Sequence, residues 1–267
     1  MEVLGRTAEL AEESALTVPL AEGTKEPYAS ILAYPKPETS TVASRIRQLG
    51  ELGVYALEFG GPLKLGKLSV LGKGVAGIVI VGMTANGPVA VKIRRTDSRR
   101  VSLEREASML RVANGVEVGP RYHSNTTDVL LMDLVDGHSL PQWLPALVGR
   151  GRRLRFRLTV SSLFEQCLRL DQTGLDHGEL SRAHKNVRIT GNGRGVILDF
   201  ESASMNRHPN NLTSLAQYFF LGKGFARRVC RIMGPVDTEA LKSSLRSYKS
   251  SYSPNAFNET KKLLKLP

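Results

Sequence analysis

The sequence predicts an α+β chain in two lobes: a small antiparallel, β-rich N-lobe with one helix, then a mainly helical C-lobe. Three observations predict it. Strand-like apolar runs, separated by glycines and by an Asn86-Gly87-Pro88 turn, crowd the stretch from Lys67 to Arg94. A single helical pattern, Ser98 to Asn114, follows them. From Ser139 onward helical periodicity dominates, broken by one short strand pair, "NVRIT" and "GVILDF". The expected division is 1–62 as an N-terminal extension packing on the small lobe, 63–136 as the N-lobe and 137–267 as a reduced helical C-lobe.

In chain order, residues 1 to about 37 are mixed, and "YPKPET" (Tyr34 to Thr39) is a proline-marked break. A helix follows. Ser40 or Thr41 can cap it, Val42, Ile46, Leu49 and Leu52 keep helical spacing, and Gly53 can close it. "YALEFGG" is a short strand and turn. "KLSVLGKG", "GIVIVGMT" and "PVAVKIRR" then form an antiparallel meander. The next helix has Ser98 as available cap, Leu103, Ala107 and Leu110 on one face, and Asn114-Gly115 as its stop. Two strands follow in "RYHSNTTDVLLMDLVDG", and the chain ends in helices with a basic tail.

Composition narrows the function. No apolar run approaches the roughly 20 residues that span a bilayer. The N-terminus carries acidic residues and no basic segment followed by an apolar core, so no secretory signal is expected. Cys167 and Cys230 are too isolated for a disulfide framework or a zinc site, and a reducing cytoplasm is the expected location. With 37 Lys+Arg against 25 Asp+Glu the net charge is +12, which attracts polyanions. The sharpest basic cluster runs from Arg150 to Arg157; it is either a solvated helix start or a contact for RNA or an acidic partner.

Four stretches carry chemistry. "LGKGVAGIVIVG" supplies Gly72, Gly74, Gly77 and Val79 as G-x-G-x-x-G-x-V between two strands, where a dinucleotide fold would put a helix next. Such glycines let backbone N–H groups approach phosphate oxygens, although a plain glycine-rich hairpin has the same look. "VAVKIRR" places Lys92 mid-strand near Ala90. A buried ammonium there needs a partner; on an edge strand it would point to water. Glu106 is the chosen carboxylate, with Glu104 as fallback. In "VLLMDLVDGHSL", Met132 limits the depth of a flat pocket, and backbone groups from Asp133 to Val135 can pair with a base edge. An ordinary strand-to-helix connection is the alternative. The fourth stretch is "HGELSRAHKNVRITGNGRGVILDFESAS", His177 to Ser204.

Taken in order, these motifs resemble the protein-kinase superfamily over about Gly66 to Ser204, and more loosely to "NNLTSLAQYFF". The "HGELS" form is similar to the RIO kinases and to small-molecule phosphotransferases, and closest to the predicted serine/threonine kinases of archaea. The resemblance implies a bilobal kinase-like fold, with ATP and Mg²⁺ (or Mn²⁺) as cofactors. It implies Lys92 on the α- and β-phosphates, Asp199 as metal ligand, Asn186 as second metal ligand, Glu179 as proton acceptor and His177 as a brace. Lys92 and Asp199 must then converge on one metal-chelated triphosphate.

Two departures stand out. Six residues separate Glu179 from Asn186 where the family has four, so His184 falls by count at the expected Asn position. Either a bulge restores Asn186, or His184 is the metal-side ligand. Glu179 also replaces the usual Asp. In addition, Glu201 replaces the Gly after Asp-Phe, which opposes a flip of that segment, and Gly178 replaces an Arg that couples to a phosphorylated activation segment. The leading expectation is a serine/threonine protein kinase, acting on a protein or on itself. The alternatives are a nucleotide-binding pseudokinase or ATPase serving as an RNA-associated scaffold, and a small-molecule kinase.

Overall fold

The computed structural model describes residues 15 to 267. Most of the N-terminal stretch in which no signal was expected therefore lies outside the described residues. The chain is α+β, with an antiparallel, strand-rich N-terminal part and a helical C-terminal part. It separates into two compact units. One comprises the described part of Met1–Glu104 with His123–Leu134, and the other comprises Arg105–Tyr122 with Val135–Pro267.

In the first unit, strands β1 (Leu16–Pro19) and β2 (Val54–Phe59) flank helices α1 (Tyr28–Leu32) and α2 (Thr39–Glu51). Strands β3 (Leu63–Leu65), β4 (Leu68–Val70), β5 (Gly72–Lys73), β6 (Gly77–Thr84) and β7 (Gly87–Arg94) follow. Beyond helix α3 (Glu104–Asn114) come β8 (Tyr122–Asn125) and β9 (Val129–Asp133). Seven strands form one sheet in the order β1-β2-β6-β7-β9-β8, with β5 pairing on β6. The segment expected to pack on the lobe from outside thus supplies two strands of the sheet itself. "KLSVLGKG" divides into two strands, because β4 pairs with β3 in a separate ribbon and only β5 joins the meander.

The sheet is buried on one face by α1 and α2. Val42 and Leu49 of α2 and Leu32 of α1 join Ile78, Ile80, Val91, Ile93, Val129 and Leu131 in one core. Ile46 and Leu52 pack at its margin. The expected apolar stripe of α2 is therefore present. It also holds Arg45, 1% exposed, which apolar periodicity does not anticipate. Neither Ser40 nor Thr41 caps α2. The Val42 N–H already donates to the Glu38 carbonyl (2.9 Å), so the first turn begins earlier and has no side-chain cap. Ser98 does not cap α3 either. Its hydroxyl accepts from the Arg100 N–H (3.1 Å) within a turn, and the helix starts at Glu104, whose N–H donates to Ser102 (3.4 Å). Apart from its first residue, α3 belongs to the second unit and not to the expected N-lobe.

The second unit adds β10 (His138–Ser139), α4 (Leu140–Ala146), the 22-residue α5 (Arg152–Thr173), and a short helix α6 (Ala183–Asn186). A hairpin of β11 (Val187–Ile189) and β12 (Gly195–Ile197) follows, paired with β10. Helix α7 (Asn211–Ala216) runs into a wider π turn (Gln217–Leu221), then come α8 (Phe225–Met233), α9 (Thr238–Ser251) and α10 (Pro254–Leu263). Its core is aromatic: Trp143 stacks on Phe156 (5.8 Å), and Phe156 and Phe164 meet Phe219 and Phe220 edge-on. Beneath α7, Asp171 accepts hydrogen bonds from the Asn211 backbone and side chain, the Leu212 N–H and the Tyr248 hydroxyl. Burial outweighs these donors and raises its carboxyl above the usual range.

Candidate functional site

The glycine-rich turn is built by the β5–β6 pairing. Gly72 faces Val79 across the ribbon, and the Gly74 N–H donates to the Gly77 carbonyl (2.8 Å) to close it. Side chains alternate along β6, β7 and β9, so residues in register share a face. Val79 pairs with Lys92, Val81 with Ala90, Ala90 with Met132, and Lys92 with Leu130. None of these belongs to the core that α2 covers, whereas their neighbours Ile78, Ile80, Val91 and Ile93 do. Val79, Ala90, Lys92 and Met132 thus lie together on the other face.

Lys92 is only 4% exposed. A Cβ on Gly77 would stand 2.9 Å from the Ile93 carbonyl oxygen and 3.0 Å from the Lys92 Cγ. The third glycine of the motif is needed because the lysine stem runs directly beneath it. Asp133, whose backbone was expected to meet a base, pairs its side chain with His123 (2.8 Å). Val135 is half-buried at the start of the next segment, in the second unit.

In the second unit three carboxylates come together. Glu106, Asp199 and Glu201 each offer an oxygen, and these oxygens lie within 4.8 Å of one another. Glu106 is buried and Glu104 exposed. Glu201, read from the sequence only as a missing glycine, is a member of this group. Asp199 has φ 64°, left-handed for a residue with a side chain. Such conformations cost roughly 1–3 kcal/mol and cluster at functional sites. The three hard oxygen donors suit Mg²⁺ or Mn²⁺. Within the described residues this is the group that fits the expected cation.

The loop from Asp176 is held from several sides. His177 is fully buried. Its Nε2–H donates to the Leu198 carbonyl (2.8 Å), its Nδ1 accepts from the Glu179 N–H (3.4 Å), and its ring lies 5.1 Å from Phe200. Burial lowers its pKa, so the neutral ring is the stable form. Asn211 accepts from the His177 N–H (2.8 Å), tying the loop to the Asp171 network.

Glu179 is half-buried, and its Oε1 accepts from the Ser202 hydroxyl (2.8 Å). The Asn186 side chain donates to the Glu179 carbonyl (3.3 Å), and its own backbone carbonyl accepts from the Leu198 N–H (2.7 Å). Between Glu179 and Asn186 the chain forms a 3₁₀ turn, Leu180–Arg182, running into α6. This brings Asn186 inward, 3% exposed, beside Glu179. His184 is exposed and stacks on Tyr218 (6.0 Å).

Sequence reasoning missed the residues that hold the loop. Arg207 binds Asp176 (2.8 Å) and the Ser202 carbonyl (2.6 Å). Asp176 and Ser204 also exchange backbone hydrogen bonds (3.0 and 2.9 Å). A Cβ on Gly178 would crowd the Arg207 Nη2 and stand 3.0 Å from the Ser202 carbonyl oxygen, and the residue has φ 83°. The place after His177 is therefore glycine because its backbone is left-handed and the Ser202 carbonyl lies close, with the Arg207 guanidinium filling the space that remains.

The basic run from Arg150 to Arg157 is partly structural. Arg153 donates to the Ile232 and Met233 carbonyls (3.1 and 2.6 Å), and Arg155 to Val148 (2.6 Å). Among the described residues no helix is long and apolar enough to cross a membrane. No protein-family model matches the chain, and no curated protein matches it. The functional reading therefore rests on the residues themselves.

Proposed function

We propose that the chain is an ATP-dependent phosphotransferase of the protein-kinase superfamily, of the atypical archaeal type, which passes the γ-phosphate of Mg-ATP to a serine or threonine hydroxyl of a protein or of its own chain. The observation that carries this reading is the gathering of Glu106, Asp199 and Glu201 next to a loop that holds Glu179 and Asn186. The buried Lys92 beneath the glycine turn supports it from the first unit.

In the proposed roles, the Gly72-to-Gly77 turn offers backbone N–H groups to phosphate oxygens, and the Lys92 ammonium meets the α- and β-phosphates. Ala90 and Met132 receive the flat base. Asp199, with Glu106, Glu201 and Asn186, would hold the cation, which when bound neutralises charge on the phosphates. Glu179 takes the proton of the attacking hydroxyl. The hydroxyl oxygen then bonds to the γ-phosphorus while the bond to the β–γ bridging oxygen breaks, and ADP leaves with that electron pair. Glu in place of Asp is compatible with this, because phosphoryl transfer depends mainly on positioning and charge neutralisation. Ser202 fixes where the longer carboxylate lies.

The test is incubation with γ-labelled ATP and Mg²⁺. Label should reach protein in the wild type and be lost in Asp199→Ala. Removing the proton acceptor in Glu179→Ala should slow transfer about 10²–10⁴-fold. Label transfer that persists at the wild-type rate in both variants contradicts the reading.

A second reading keeps nucleotide binding but gives the work to a polyanion such as RNA. It is favoured by Arg153, whose carbonyl bonds bring the start of α5 against the end of α8, a helix that exposes Arg227, Arg228 and Arg231. RNA affinity should then fall steeply with salt, with no label transferred in any sample.

A further inference from the structure

A polar cleft of about 460 Å³ opens in the first unit at the start of α2. Its size falls within the range of small-ligand pockets. Lys36, Arg45 and Arg94 line it, and so do Ser40, Thr41, Ser44 and Thr96 with their hydroxyls. The core of the sheet separates this surface from the face that carries Lys92, since α2 covers the face opposite to Lys92.

Two independent features point to an anion. The first is the helix start itself. The backbone ladder of α2 begins with the Val42 N–H, and no side chain caps the turn, so the N–H groups of Thr39, Ser40 and Thr41 have no intrahelical acceptor. The positive end of the helix dipole adds to them over 13 residues. The second is Arg45, one turn further on. It is 1% exposed, yet its Nε has no hydrogen-bond partner. Its Nη1 donates to the Leu32 carbonyl (2.6 Å), and its Nη2 stands 3.8 Å from Asp128, beyond hydrogen-bond reach. The Nε–H, one of the two prongs with which a guanidinium binds an oxyanion, is thus unsatisfied, and the other, Nη2, has only the long ion pair with Asp128. Burial, more than any neighbouring charge, lowers its pKa to about 10, the cost of a charge without a full partner.

The nearby acids do not cancel this. Asp128 is held by Arg94 (2.6 Å) and Gln48 (3.1 Å), and Asp97 by both arms of Arg95 (2.8 and 2.7 Å). With those pairs set aside, Lys36 faces Glu38, and Arg45 keeps only its long ion pair with Asp128 (3.8 Å).

We propose that this cleft is a binding site for a phosphate group, free or as a small-molecule monoester, held by the first-turn amides of α2 with Arg45, Lys36 and Thr41. The site uses none of the residues assigned to nucleotide chemistry, and it stands whether or not that reading holds.

Titration of ¹⁵N-labelled protein with inorganic phosphate, at constant ionic strength set with chloride, tests it. Saturable amide shifts at Thr39, Ser40 and Thr41 are expected, together with a new environment for the Arg45 Nε–H. Lys36→Ala, at an exposed position that folding does not need, should weaken binding about tenfold. Arg45→Met, a neutral replacement of similar length, should abolish it, and a melting curve reports whether that variant folds. Lys92→Met should leave the shifts in place. Phenyl phosphate then separates the sources: at least tenfold tighter binding identifies a monoester ligand, and equal binding identifies free phosphate. Absence of shifts at the three amides overturns the proposal. So do shifts that persist unchanged in Lys36→Ala and in folded Arg45→Met.

Discussion

Gly77 and Gly178 show how single residues bear on the site. At Gly77 an added Cβ would lie 2.9 Å from the Ile93 carbonyl oxygen. That oxygen belongs to a central strand, and the Lys92 Cγ would lie 3.0 Å away, so both the strand and the lysine stem must shift. Gly77→Ala should therefore weaken Mg-ATP binding about tenfold while costing roughly 1–3 kcal/mol of stability from overpacking. A nucleotide titration alongside a urea melt separates the two effects. Gly178 combines φ 83° with contact against Arg207 and the Ser202 carbonyl. Gly178→Ala should expel the Arg207 guanidinium from Asp176, and Arg207→Ala should reproduce its loss of activity without the backbone strain. The sequence showed that no arginine follows His177, but not what fills the space. Residues 178 and 207 are far apart in the chain, and no local pattern links them. Glu201 was legible only as a departure, because its carboxylate finds Glu106 and Asp199 through tertiary structure.

At the scale of elements, α7 and α5 are joined by Asp171. Removing its carboxylate leaves the Asn211, Leu212 and Tyr248 donors buried without acceptors. Each such group costs about 1–3 kcal/mol, so Asp171→Ala should destabilise by about 3 kcal/mol or more in denaturant unfolding. Asp171→Asn, which keeps one acceptor oxygen, should cost less. Asp171 sits in the last turn of α5, at the end of a mostly apolar buried face, and its role was not readable from that pattern. The strands of the meander were readable, because alternation and the Asn86-Gly87 turn are local signals. The capping serines were misplaced for a related reason: Ser98 and Ser40 stand near helix starts in sequence, but backbone carbonyls and other turns claim those positions. The first strand, Leu16–Pro19, was missed because a four-residue edge strand with one buried side chain has almost no periodicity to read.

For the whole molecule, the buried neutral His177 ties stability to pH. Its pKa is lowered from 6.5 by burial, so below pH 6.5 the unfolded chain binds a proton that the folded chain resists. Stability should therefore be present above about pH 6.5 and decline as pH falls through that value towards the folded pKa. His177→Gln should flatten that decline in melting curves taken between roughly pH 7 and 5, a window set by the ordinary histidine pKa.

The α+β order, strand-rich first and helical second, followed from the sequence because both periodicities run long enough to be seen. The division of the units did not, since α3 interrupts the strand-rich part in sequence and belongs with the helical part in space. The proposed function requires that Lys92 and Asp199 act on one nucleotide. A double-mutant cycle probes this closely, with Mg-ATP affinity determined for the wild type, Lys92→Ala, Asp199→Ala and the double variant. Each single variant should lose much of the affinity, and the double variant should be hardly weaker than the worse of the two, the non-additivity of groups that share a ligand. Unchanged affinity in either single variant, or losses that simply add, would contradict it.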